Sequence, residues 1–347
     1  MAKAEEIARS RRSGQTRAGA RALTRSLWGL GPMVLVGSTL LGLAHGPTPI
    51  PLATILSVLV HPTSSLPSLI LWQIRMPEVV TAGVIGASLA AAGVMMQALL
   101  RNPLADPYVI GASAGAGLGA VVTQEALGEL APGGAFLGAL GAVLVSYLLS
   151  RTRGTAQVLT LLLAGYAVGV MLSAVSLFLL LQNHQNLQTV LSWEVGGIHT
   201  VGWSGLLWPS LLILAALLLS WPLTPVMNAL LLGEAQAASL GLDVARVQLL
   251  LLAGASLLTG AAVYLGGLIG FVGLVIPHVV RRWNGPDHRT LLPQSLIWGA
   301  AFLILAATLA QTIPDIGSVP VGLVTAFLGG PYFLWLLLKT QRQGVTF

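Results

Sequence analysis

Gln97-Ala98-Leu99-Leu100-Arg101-Asn102-Pro103-Leu104-Ala105-Asp106-Pro107 separates two apolar stretches, Val79–Leu100 and Tyr108–Val122. The first stretch carries no ionisable side chain. At its end an arginine, an aspartate and two prolines arrive together. Proline lacks an N–H and its ring clashes with the preceding turn, so helices close ahead of it. A helix embedded in hydrocarbon therefore stops here, at a water interface, and the chain turns back.

Composition sets the same frame. Of 347 residues, 55% are hydrophobic and 8% charged, whereas soluble domains carry about 25% charged residues. So little charge cannot cover the surface of a soluble protein, and the chain reads as an all-α, polytopic membrane protein. There is no cysteine, hence no disulfide, thiolate metal site or thiol nucleophile. Lysine occurs only as Lys3 and Lys339, neither in a Gly-x-x-x-x-Gly-Lys loop. The chain thus has no P-loop to hold nucleotide, and any ATPase must be another polypeptide. The net charge of +6 is the mark of cytoplasmic loops rich in Lys and Arg rather than of nucleic-acid binding.

Outward from the hinge, apolar segments of spanning or near-spanning length recur at 27–44, 77–100, 108–124, 133–150, 158–181, 203–221, 245–264, 268–282, 291–311 and 319–339. That makes ten. Residues 1–26 read as a basic cytoplasmic tail, because the following Leu27–Ala44 is nearly long enough to span. His45–Leu66 reads as an outside loop with a short interfacial helix at Leu52–Val60. Residues 27–340 form one ten-helix transmembrane domain, with cytoplasmic helices at 226–243, and 341–347 is a cytoplasmic tail. With the N-terminus inside, every Lys and Arg except Arg75 is cytoplasmic, the orientation that the positive-inside rule prefers. The outer side carries Glu78, Glu125, Glu129, Glu194 and Asp315. The localisation expected is the bacterial inner membrane.

Glycine recurs through the segments, as in Gly83-x-x-Gly86 and Gly266-Gly267-x-x-Gly270, where small residues let helices approach closely. Gly111–Gly119 looks like a phosphate loop but follows no strand, so packing is its reading. No ionisable residue lies mid-span, although ion-coupled carriers keep charges there. An ion-coupled secondary transporter or channel is therefore the rival reading. A lipid-linked transferase is a second rival, yet Asp106, Asp243 and Asp287 are isolated from one another. His278 and His288 lack a ligand set of convincing spacing for a metal and read as interface hydrogen-bonding residues. His45, His61, His184 and His199 are scattered loop residues. Trp193, Trp203, Trp208 and Trp221 bracket the sixth span as interfacial anchors.

The order of motifs resembles that of the FecCD-type ABC importers, the permeases for iron–siderophore, haem and cobalamin uptake. The matching stretches are Arg75-Met76-Pro77, the hinge itself, Gly111-Ala112-Ser113-Ala114-Gly115-Ala116 and Leu161-Leu162-Leu163-Ala164-Gly165. They continue with Leu232-Gly233-Glu234 through Ser239-Leu240-Gly241 and Gly270-Phe271-Val272-Gly273-Leu274-Val275-Ile276-Pro277-His278. Asp287-His288-Arg289, Pro320-Val321-Gly322 and Gly330-Pro331-Tyr332 complete the set. The resemblance runs from about Leu71 to Lys339. It implies a type II ABC importer fold, a homodimer of ten-helix subunits, two cytoplasmic ATPase subunits and an external substrate-binding protein. ATP and Mg would sit in the ATPase, with no cofactor on this chain and no catalysis by it.

Site residues follow from the resemblance. Asn102 and Leu104 match the cytoplasmic gate, and a loop held by two prolines can present Leu104 as a plug. Arg151–Thr160 matches a second gate region. Leu230–Gly241 reads as a short amphipathic helix ended by glycine, and Leu232, Gly233, Glu234, Ala235, Ala238, Leu240 and Gly241 match the motif that couples permease to ATPase. Arg75, Glu78 and Gln311 stand at positions that receive the binding protein. Glu78 and Gln311 replace arginines of the family pattern, so Glu78, Glu194 or Asp315 is expected to accept basic residues of the partner, setting orientation and encounter rate.

Overall fold

Prolines decide where the helices bend, and glycines decide which of them touch. The structure, a computed structural model, describes residues 29–127, 132–152, 155–182, 195–198, 202–312 and 319–342. The tail at 1–26, residues 343–347, and Glu129, His184, Trp193, Glu194, His199 and Asp315 lie outside the described residues.

The chain begins with α1 (Gly29–Ala44), the short α2 (Leu52–Val60) and α3 (Leu66–Ile70). A π-helical turn at Leu71–Arg75 then runs straight into α4 (Met76–Leu99). The apolar segment expected from 77 onward begins earlier, and the helix is continuous over Leu66–Leu99. The wider π turn just before Pro77 makes room for the ring and the missing N–H. After the hinge, Pro107–Ile110 is a 3-10 turn and Gly111, at φ 82°, reverses the backbone before α5 (Ala112–Leu127). The third span therefore begins four residues later than expected. Next come α6 (Pro132–Ser150), the two-residue strands β1 (Arg151–Thr152) and β2 (Thr155–Ala156), and α7 (Val158–Gln182). The strands pair antiparallel, Arg151 against Ala156.

The second half holds α8 (Gly202–Ser220), a 3-10 turn at Trp221–Leu223, α9 (Thr224–Leu230) and α10 (Glu234–Ser239). Then follow α11 (Val244–Gly266), α12 (Val272–Asn284), α13 (His288–Thr312) and α14 (Val321–Arg342). Among the described residues, seven helices are long and apolar enough to span a membrane. The shorter α1, α5 and α12 occupy the remaining three expected spans.

α4 lies at the centre, against α11, α12 and α13. A Cβ at Gly93 would overlap the Gly273 carbonyl of α12, and one at Gly86 would overlap the Gly299 carbonyl of α13. Backbone thus meets backbone, the contact that small residues permit in lipid. Ser88 on α4 donates to the Leu258 carbonyl of α11 at 2.7 Å. The core built around these helices includes Leu89, Met95, Met96, Leu251, Leu258 and Leu303.

Candidate functional site

The hinge is a hydrogen-bonded knot. α4 ends as Arg101 takes a left-handed conformation, φ 49°. The Asn102 N–H donates to the Gln97 carbonyl at 3.2 Å, and Ala105 N–H donates to the Asn102 carbonyl at 3.1 Å. The Asn102 Oδ1 accepts the Leu104 N–H at 2.9 Å. Asp106 caps the 3-10 turn, its Oδ1 accepting the Tyr108 N–H at 2.8 Å. Burial raises the Asp106 carboxyl to about 6, against the opposing pull of the Tyr108 N–H. Leu104 is half-buried.

Beside the hinge stand α9 and α10. The sequence reads 230–241 as one helix; Gly233 splits it, at φ 103°, a value that residues with a Cβ rarely adopt. α10 turns Ala237 into the core and leaves Leu232, Ala235, Ala238 and Leu240 exposed. Glu234 at its first position reaches Arg101 of the hinge at 3.4 Å. The structure thus brings the two stretches singled out in the sequence, gate and coupling motif, into direct contact.

A second tie was not legible in the sequence. Asn228 of α9 donates through Nδ2 to Asp287 Oδ1 at 2.7 Å, and its Oδ1 accepts the His288 N–H at 2.9 Å. The same Oδ1 lies 2.8 Å from His288 Nδ1. Because an amide oxygen only accepts, Nδ1 carries the proton. Burial would raise the Asp287 carboxyl, but the Asn228 and Arg289 donors and the nearby Arg289 and His288 charges hold it below its ordinary value. The lone asparagine in Thr-Pro-Val-Met-Asn-Ala-Leu was the available signal.

α13 carries this tie away from the hinge. At its far end Gln311 Nε2 donates to Glu78 Oε2 at 3.4 Å, and its Oε1 accepts from Arg75 at 3.5 Å. Arg75, 3% exposed, also donates to the Thr48 carbonyl at 3.3 Å and to the His45 carbonyl. The three residues expected to receive a partner are therefore together, with the arginine engaged internally. Glu78 and Gln311 line a cavity of about 240 Å³ with Gly42, Thr308, Val319 and Pro320. Among the described residues, no group of three His, Asp or Glu side chains is placed to hold a metal ion.

The structure is a many-helix membrane bundle with a proline-bound hinge at one face, joined through Arg101 and Glu234 to the short, exposed helix α10. The FecCD transport family model matches residues 34–339, and the chain belongs to that family. It is an ABC importer permease of the FecCD type. It is 41% identical over 281 residues to the cobalamin import system permease protein BtuC of Halobacterium salinarum, covering 80% of this chain and 75% of that one. It is also 41% identical over 282 residues to the hemin transport system permease protein HmuU of Yersinia pestis, covering 78% and 84%. The ABC transporter permease YvrB of Bacillus subtilis is 37% identical over 336 residues, covering 91% and 94%. An inward-facing metal-chelate type ABC transporter superposes with a TM-score of 0.78 at 27% identity, over 91% of this chain and 99% of that one.

Proposed function

We propose that two copies of this chain form the membrane channel of an importer that carries an iron chelate, haem or cobalamin across the bacterial inner membrane. An external binding protein delivers the cargo, and two ATPase subunits bind at the hinge face, which is cytoplasmic along with both termini. ATP and Mg belong to those subunits. The observation that carries this reading is the Arg101–Glu234 contact at 3.4 Å, which joins the hinge to an exposed helix. Leu232 and Leu240, 62% and 65% exposed, suit burial under an ATPase, since exposed apolar patches mark interfaces.

In this reading Asn102 and Leu104 form the cytoplasmic gate, fixed by the turn that Asn102 makes on Leu104 N–H. Leu232, Gly233, Glu234, Ala235, Ala238, Leu240 and Gly241 receive the push of the ATPase. Glu78 and Gln311 meet the binding protein, while Arg75, buried and bonded to the His45 and Thr48 carbonyls, braces them from within rather than docking itself, and Glu78, beside a cavity, accepts a basic side chain of that partner. The exposed side of α7, with Leu163, Tyr166, Met171 and Phe178, supplies weakly adhesive apolar surface to the dimer and its pathway. Relatives named for cobalamin and for hemin are equally similar at 41%, so the cargo class is a bulky, ring-bound or chelated metal.

The test is co-purification from cells expressing the chain with the ABC ATPase and binding protein of its own organism, followed by ATPase assays. The expected result is a complex with two copies of each membrane and ATPase chain, whose hydrolysis the loaded binding protein stimulates. A chain that elutes alone and leaves hydrolysis unchanged contradicts the proposal.

A further inference from the structure

Pro277 sits inside α12 and has no N–H to give the Gly273 carbonyl four residues before it. In hydrocarbon, no water replaces the missing donor. Gln97, 1% exposed in the last turn of α4, supplies it. Its Nε2 lies 3.2 Å from the Leu274 carbonyl and 3.5 Å from that of Gly273. Its Oε1 accepts from Arg281, one turn past the proline, at 3.1 Å. Its backbone carbonyl accepts the Asn102 N–H at 3.2 Å.

One residue therefore holds the α12 backbone ahead of Pro277, the cation beyond it and the first residue of the hinge turn. We infer that Gln97 is a positioning residue for the cytoplasmic gate: its amide ties the hinge to the proline-interrupted helix α12, so that the two move together. The inference rests on the reading of the hinge as that gate. Two neighbouring carbonyls give the amide two seats on α12, the kind of discrete alternative through which a packed element transmits displacement. An amide serves both sides at once, since it donates to carbonyls and accepts from a guanidinium. Leucine does neither, and glutamate retains only the bond to Arg281.

A purely structural role is separable, because Pro277→Ala returns an N–H to the Gly273 carbonyl and removes the need for a rescuing donor. The experiment reconstitutes the complete complex, with ATPase and binding protein, in proteoliposomes. It reads transported cargo per ATP hydrolysed, with haemin and cyanocobalamin as probe cargoes, alongside the melting temperature. Gln97→Leu with Pro277→Ala is expected to fold, melting somewhat below Pro277→Ala alone because Arg281 loses its acceptor. Its transport per ATP is expected to fall about tenfold below that single variant, the effect of losing one buried bond to a charged group. Equal coupling in the two would overturn the inference. Gln97→Glu supplies the same readout if the double variant does not fold: coupling equal to the natural protein's would again overturn it. A natural complex that shows no ATP-dependent uptake at all refutes instead the importer reading, which is a separate outcome.

Discussion

α4 and α7 are helices of 24 and 25 residues, similarly apolar, and both belong to membrane spans. In the most apolar window of the α4 span 78% of residues are buried inside the subunit; in that of α7 the figure is 17%. Hydrophobicity does not distinguish them, because lipid and protein interior are alike to a leucine. Side-chain size does. α4 presents Gly86, Ala90, Ala91, Ala92 and Gly93 to its neighbours, whereas α7 turns Leu163, Tyr166, Met171 and Phe178 outward. α4 is built to be gripped and ends in the hinge. α7 offers surface to whatever lies beyond the subunit.

The sharpest way to break this contrast is Gly93→Val. The added carbons would collide with the Gly273 backbone, and overpacking of a rigid contact should cost about 3 kcal/mol or more. Size-exclusion chromatography of the detergent-solubilised chain should show loss of the monodisperse peak. A normal peak would mean that α4 and α12 separate without penalty.

A smaller effect concerns the loop that closes α4. The Asp106 carboxyl is raised to about 6 from its ordinary 3.8, so the folded state holds its proton more tightly than the unfolded chain. Its contribution to stability is full below pH 3.8 and is lost as pH rises through about 6. Asp106→Asn keeps an acceptor for Tyr108 N–H, and so its melting temperature should lack that decline. Parallel pH profiles of the two proteins would count against the buried carboxyl.

Ser88→Ala should cost about 0.6 kcal/mol, the typical worth of a hydrogen bond between helices in a bilayer, read from chemical denaturation in mixed micelles. Smallest of all is Phe178→Ala on α7. With that ring 60% exposed, subunit stability should change by no more than about 0.5 kcal/mol, while dimer content or transport responds. A large drop in melting temperature would place α7 inside the subunit after all.

The spans, the hinge and the short helix at Leu52–Val60 were legible because apolar period, proline and charge act locally. Three features escaped. The π turn at Leu71–Arg75 carries the α4 helix past Pro77, a compromise between proline geometry and continuous packing that no single-residue rule announces. Gly233 was read as part of one helix, although its positive φ makes it the break between two. The ties of Asn228 to Asp287 and of Gln97 to α12 link residues far apart in sequence, where periodicity is silent. The hinge stretch and the Leu232–Gly241 stretch were each singled out by motif. Their contact through Arg101 and Glu234 emerges only in three dimensions.

The central claim is that this chain has no motor of its own. The direct measurement is cargo uptake in proteoliposomes, comparing the chain alone under proton and sodium gradients with the same chain joined by its ATPase and binding protein in the presence of ATP. The account predicts accumulation only in the second case, abolished when ATP is withheld. Uphill accumulation by the isolated chain on an ion gradient would contradict it.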